Sequence, residues 1–152
     1  MIVDASASTR RHRALADAKG LLAQLFDDAY RQRARMALLT ASGQSPKWQV
    51  RGLKAAKGLA NWLDQLGAGG GTPLLAALSE AGQWLAARRK RHPAEQQRLL
   101  VITDGRLKAI GGLPLLECPG LLVDIERGPI RLGRAQALAA GLQLEYQHID
   151  DV

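Results

Sequence analysis

The chain contains a single cysteine, Cys118, which excludes an internal disulfide and a cysteine-based zinc site. Aromatic residues make up only 4% and do not interleave with the basic clusters, so a base-stacking platform for nucleic acid is not expected. No segment approaches the roughly 18 uninterrupted apolar residues that a membrane helix needs, and no membrane association is expected. Met1-Ile2-Val3 meets Asp4 at once, without a basic leader or an apolar stretch of signal length, so the expected location is cytoplasmic. A glycine loop ending in lysine, which would cradle nucleotide phosphates, is also missing, so any ATP hydrolysis would belong to a partner. His12, His92 and His148 are scattered and read as surface residues, leaving no evident general base.

What is present is globular. Apolar residues form 47% and charged residues 23% of 152 positions, enough for one domain spanning 1–152 with a sizeable core. The formal charge of +7 asks for a negatively charged partner. The cations cluster at Arg10-Arg11-His12-Arg13, at Arg31, Arg33 and Arg35, and at Arg88-Arg89-Lys90-Arg91-His92. The last two groups read as solvated ends of helices, where cations complement the helix dipole. The first opens a helix and is the better candidate for function.

Strand and helix patterns alternate. Met1 to Asp4 reads as a short strand. Thr9 to Tyr30 carries apolar residues at helical spacing (Ala14/Leu15, Ala18, Leu21/Leu22, Leu25/Phe26). Met36 to Ala41 reads as a buried strand, and Trp48 and Val50 as one face of an antiparallel edge strand. A helix is expected from about Leu53 to Leu66, broken by Gly67 to Gly71, and another from Thr72-Pro73 to His92-Pro93. Leu99 to Thr103 and Leu121 to Ile125 are continuous apolar runs of the kind found in central parallel strands. A last helix near Leu132 to Ala140 precedes an alternating strand, Leu142, Leu144 and Tyr146. This order implies an α/β domain: a mostly parallel central sheet with one antiparallel edge strand and helices on both faces.

In such sheets ligands bind beyond the carboxyl ends of the strands. Three polar clusters are expected there: Asp4-Ala5-Ser6-Ala7-Ser8, Gly69-Gly70-Gly71-Thr72 and Thr103-Asp104-Gly105. Alternate residues in an extended segment send Ser6 and Ser8 to the same side as each other, and the glycine run lets Thr72 approach closely. Asp4, Ser6, Ser8, Thr72 and Asp104 offer oxygen atoms only. Mg²⁺ prefers that set, with Mn²⁺ or Ca²⁺ as substitutes, whereas zinc or copper would call for histidine or cysteine. Each cluster also has a purely structural reading. Ser8 or Thr9 can cap a helix, Thr72-Pro73 can be a cap and first helical position, and Asp104-Gly105 can be a turn.

Asp4-x-Ser6-x-Ser8 with distant Thr72 and Asp104 resembles the metal-ion-dependent adhesion site of von Willebrand factor A domains. Val3-Asp4-Ala5-Ser6, Gly69-Gly70-Gly71-Thr72-Pro73-Leu74, Thr103-Asp104-Gly105-Arg106, Arg35-Met36-Ala37-Leu38, Val123-Asp124-Ile125-Glu126 and Ile149-Asp150-Asp151-Val152 resemble, in particular, the A domain of the magnesium chelatase D subunit and its cobaltochelatase relatives. The resemblance implies a Rossmann-like fold in which Ser6, Ser8 and Thr72 present hydroxyls to the metal. Asp4 and Asp104 would supply charge, often through water, and a partner's Asp or Glu would complete the coordination.

This chain departs from the family pattern in places. Ala7 stands where the family usually has glycine, and Thr9 where methionine is common. The 107–120 segment is short and holds Gly111-Gly112, Pro114 and Pro119, so the full helix of the family is expected to be reduced to one turn or lost there. The family's ATPase-like region and acidic linker are not among these residues, which leaves open a stand-alone relative or a fragment.

The function implied is a metal-dependent protein-interaction subunit without chemistry of its own, docking a ring ATPase (an AAA+ subunit) or the large subunit of a magnesium or cobalt chelatase that loads a tetrapyrrole, as in cobalamin biosynthesis. A general adaptor for another AAA+ ATPase that remodels a metalloenzyme is the alternative. A phosphohydrolase whose Asp4/Asp104-bound cation activates water is a third reading.

Overall fold

The computed structural model describes residues 1–6, 13–54, 63, 66, 73–108 and 110–152, without the side chains of 53 and 54. Six strands form one sheet: β1 (Ile2–Asp4), β2 (Arg35–Ala41), β3 (Lys47–Lys54), β4 (Leu99–Thr103), β5 (Gly120–Asp124) and β6 (Glu145–His148). Their spatial order is β3-β2-β1-β4-β5-β6. All neighbours run parallel except β2 and β3, so β3 is the antiparallel edge expected from the sequence. The strand order reverses between β1 and β4, which places a topological switch point at the carboxyl ends of those two strands.

The α-helices bounded within the described residues are α1 (Ala14–Arg31), α2 (Leu74–Arg91) and α3 (Arg134–Leu142). Successive strand side chains face opposite ways, and the core divides accordingly. Ile2, Leu39, Val101 and Leu122 pack with Leu74, Leu78, Leu138 and Leu142 of α2 and α3. Val3, Leu38, Ile102 and Val123 pack with Ala18, Leu22 and Phe26 of α1. In α1 the buried positions Ala14, Ala18, Leu22 and Phe26 recur every four residues, a single stripe turned to the sheet.

Between β4 and β5 the described residues contain no helix, and part of the connection packs on the α2/α3 face. Leu107 and Leu116 are buried there. Small residues on the helices let the segment lie close: a Cβ at Gly82 would touch Leu116 at 3.4 Å, and one at Gly141 would stand 2.6 Å from Leu113.

The structure corrects the sequence reading in several places. Trp48 and Val50 do not share a face: Trp48 joins the α2/α3 core and Val50 the α1 core. Leu39 pairs with Trp48 and Leu38 with Val50, so one extra β3 residue bulges out and reverses the alternation. Residues 53 and 54 extend β3 rather than opening a helix, and most of the helix expected up to Leu66 lies outside the described residues. Leu142 completes the buried stripe of α3 instead of starting a strand, because Gln143 turns the chain in the left-handed conformation at φ 57° and β6 begins only at Glu145. His148 is buried, not on the surface. Its Nε2 donates to the Glu126 carbonyl at 3.0 Å, and its Nδ1 accepts from the Asp150 N–H at 3.2 Å. Nor is the cluster at the end of α2 merely solvated: Arg88 pairs with Glu95 and lies over the Trp84 ring, and Arg89 pairs with Glu117.

Candidate metal centre

Asp4 ends β1 and is fully buried. Its Oδ1 accepts from the Ser6 N–H at 2.9 Å, and its Oδ2 accepts from the Thr103 hydroxyl at 2.7 Å. Thr103 ends the adjacent β4, because Val3 stands opposite Ile102 in the parallel register. The same Thr103 oxygen accepts from the Gly105 N–H at 3.0 Å. Asp104 follows, also buried, with its Oδ1 accepting from the Arg106 N–H at 3.1 Å. Gly105 adopts φ +68° against the first turn of α3, which aims the chain sharply away after Asp104.

Two of the sequence-designated residues, Asp4 and Asp104, therefore stand at the switch point, joined through Thr103, with Ser6 buried beside Asp4. Ser8 and Thr72 lie outside the described residues, as do Arg10, Arg11 and His12. Burial raises the Asp4 pKa above its ordinary value; hydrogen bonds from Ser6 and Thr103 oppose that, and the nearby Asp104 charge adds to it. An anionic Asp4 is thus uncomfortable in this fold without a positive neighbour.

Sequence reasoning assigned no role to Thr103, Arg106, Asp124, Glu126 or Tyr146. Asp124 and Glu126 are buried at the same edge of the sheet. Asp124 accepts from the Glu126 N–H at 2.8 Å and from the Tyr146 hydroxyl at 2.7 Å. Four acidic side chains (Asp4, Asp104, Asp124 and Glu126) are consequently buried at one edge of a chain that is cationic overall. Buried carboxylates need a cation or dense hydrogen bonding. Among the described residues no three acidic, imidazole or thiol groups converge closely enough to hold a metal by themselves. The donor chemistry fits a hard cation only if hydroxyl oxygens complete it.

Burial, followed by the hydrogen bond to Asp124, raises the Tyr146 pKa from 10.0 to about 12. The folded value exceeds the unfolded one, so the stability this contact contributes is complete below pH 10.0 and is lost as pH rises towards about 12. In a Tyr30→Phe protein the remaining phenolate absorbance is expected to develop with a midpoint near pH 12; an ordinary tyrosine midpoint would show that the Asp124 contact does not form.

Residues 1–106 match the family description of the von Willebrand factor type A domain. Among relatives, the chain is 35% identical to the magnesium-chelatase 67 kDa subunit of Chlorobaculum parvum over 75% of this chain and 17% of that one. It is 31% identical to the subunit of the same name from Heliobacterium mobile, over 75% of this chain and 16% of that one. An uncharacterised protein of Mycobacterium tuberculosis is 28% identical over 98% of this chain and 26% of its own length. The chain thus spans about a quarter or less of the length of these relatives. Among solved structures, the manganese-loaded TRAP protein of Plasmodium vivax superposes with a TM-score of 0.71 at 15% identity, covering 98% of this chain and 67% of that one. BatB of Bacteroides thetaiotaomicron does so with a TM-score of 0.70 at 17% identity, covering 99% and 89%. By fold and by sequence, this chain belongs to the von Willebrand factor type A domain family.

Proposed function

We propose that the carboxyl edge of the sheet holds a divalent cation, Mg²⁺ in the cell, through Asp4, Ser6, Ser8, Thr72 and Asp104, and that the ion takes an acidic side chain of a partner protein. The observation that carries this reading is the buried Asp4–Thr103 link at the switch point, which brings two carboxylates from adjacent strands together with Ser6. Serine and threonine hydroxyls beside two carboxylates form an all-oxygen set, and Mg²⁺ exchanges one of its waters for a carboxylate without leaving such a site. The ion would add positive charge beside the buried acids. Asp4 and Asp104 would provide the compensating charge, and Ser6, Ser8 and Thr72 the neutral oxygens.

The partner is proposed to be an ATPase or large subunit of a magnesium or cobalt chelatase that loads a tetrapyrrole. Similarity to two magnesium-chelatase subunits at 31% and 35% identity supports that choice. The chain's charge of +7 suits an acidic partner surface and salt-sensitive association. No helix among the described residues is long and apolar enough to cross a membrane, and we propose action in the cytoplasm. Among the described residues, the buried His148 offers no free base for a hydrolytic role, since both of its nitrogens are engaged by backbone groups.

A pull-down from the native cell with Mg²⁺ or with EDTA tests the proposal. Wild type is expected to retain a chelatase subunit only with Mg²⁺, and Ser6→Ala and Asp104→Ala to lose about tenfold or more of that capture, as for removal of a buried charged contact. Equal capture by all three proteins would show that the ion is not the contact. Retention of an unrelated ATPase would instead identify a general adaptor.

A further inference from the structure

Resting on the cation site just proposed, we infer that Arg106 relays the state of Asp104 to the loop between β5 and α3 through Glu126. The Arg106 side chain is 31% exposed at the rim and stands between two acids that are almost wholly buried, Asp104 at 3% and Glu126 at 1%. Its Nε lies 3.7 Å from Asp104 Oδ2 and its Nη2 lies 3.7 Å from Glu126 Oε1. A charge-assisted hydrogen bond would be about 2.7–2.9 Å, so one guanidinium is shared by two carboxylates and bonded to neither.

Glu126 is otherwise tightly held. Its N–H donates to Asp124, its carbonyl accepts from His148, and its Oε2 accepts from the Leu132 N–H at 2.9 Å. Oε1 alone has no hydrogen-bond partner among the described residues. A buried carboxylate oxygen left in that condition is costly, and the Arg106 guanidinium stands 3.7 Å away. Leu132 and Ile130, at 51% and 76% exposure, project from the loop that Glu126 anchors.

The consequence is a two-position side chain. While no cation holds Asp104, its carboxylate competes with Glu126 for the guanidinium. Once Asp104 is committed to a divalent cation, its pull on Arg106 is cancelled and the new charge repels the guanidinium. Arg106 then needs to move only about an ångström to bond Glu126 Oε1. Both Glu126 oxygens are then occupied, and the loop bearing Ile130 and Leu132 is fixed from its inner side. A partner would therefore meet a stiffer apolar shoulder next to an ion-loaded site than next to an empty one.

The test uses the whole chain, Mn²⁺ as the probe, and two readouts: Mn²⁺ affinity by electron paramagnetic resonance and hydrogen exchange at the Leu132 amide. Arg106→Gln is expected to tighten Mn²⁺ binding about fivefold by removing a nearby cation, and Glu126→Gln to weaken it by a similar factor by stranding Arg106 on Asp104. In the double variant the Glu126→Gln effect is expected to fall to less than half in logarithmic terms, since there is no arginine left to redirect. In wild type, Mn²⁺ slows Leu132 exchange about tenfold; in Arg106→Gln it does not, although Mn²⁺ still binds.

Purely additive effects on affinity, or Leu132 exchange indifferent to Mn²⁺ in wild type that binds it, would overturn the relay and leave the cation site standing. Failure of wild type to bind Mn²⁺ at all would overturn both.

Discussion

Mg²⁺ or Mn²⁺ is expected to stabilise the wild-type fold, and Asp4→Asn to abolish that stabilisation. A ligand that binds only the folded state at a concentration of 100 times its Kd adds about 2.7 kcal/mol, which for a domain of this size raises Tm by about 5–10 °C. Asparagine keeps the shape of Asp4 and one acceptor for the Ser6 N–H or the Thr103 hydroxyl, but lacks the charge. The variant should nevertheless fold. Burial raises the Asp4 pKa, so the folded state disfavours its anion, and the stability linked to the protonated form is lost as pH rises through the folded value. At neutral pH in EDTA the variant is therefore expected to melt no lower than wild type by more than a few degrees. Scanning calorimetry with EDTA and with millimolar Mn²⁺ measures both halves. A variant that keeps the full metal-dependent shift would show that Asp4 is not part of the ion's environment.

Gly105→Ala is expected to be the most damaging single-methyl change near the site. Gly105 has φ +68°, and a Cβ there would stand 2.7 Å from the Ala135 Cα and nearer still to the Ala135 nitrogen. Two costs combine: about 1–2 kcal/mol for a side chain in the left-handed region, and about 1–3 kcal/mol for forcing atoms into packed backbone. Gly43 separates the terms, since its φ is +69° but nothing lies within 4 Å of its Cβ position. Urea unfolding is expected to show Gly43→Ala losing only the backbone cost and Gly105→Ala losing about twice as much or more. Because the relief available to Gly105→Ala is a shift of α3 or of Asp104, its ion affinity should fall as well. Equal losses at the two glycines would mean that α3 does not press on the turn after Asp104.

The sheet was legible where each strand is a continuous apolar run. Ile102 and Val123 sit in central parallel strands, and their neighbours fill opposite faces, as composition and length alone suggest. Helices with a complete stripe were equally readable, as the four-residue recurrence from Ala14 to Phe26 shows. Reading failed where one spacing fits two structures. Leu142 and Leu144 are two apart, as in a strand, yet the first closes a helix and the second lies in the turn that follows. At Trp48 and Val50 a bulge reversed the side-chain alternation, and bulges leave no mark in apolar periodicity.

At the site, Asp4 and Asp104 could be placed at the same edge because the first ends a strand and the second directly follows one. The hydroxyl of Thr103 could not be assigned, since its bond to Asp4 depends on β1 lying beside β4, a register that spans 99 residues of chain. Glu126 was equally hidden. Its importance comes from the burial of one unpartnered oxygen 3.7 Å from Arg106, a relation between side chains on separate loops.

The central claim is that oxygen atoms from separate strand ends surround one divalent cation. Crystals soaked in Mn²⁺ and measured for anomalous scattering test it most directly. The expected result is a single strong peak within coordinating or one-water distance of Ser6 and Asp104, with Ser8 and Thr72 closing around it. A map with no peak at the carboxyl ends of β1 and β4, at a Mn²⁺ concentration that saturates binding elsewhere, would contradict the account.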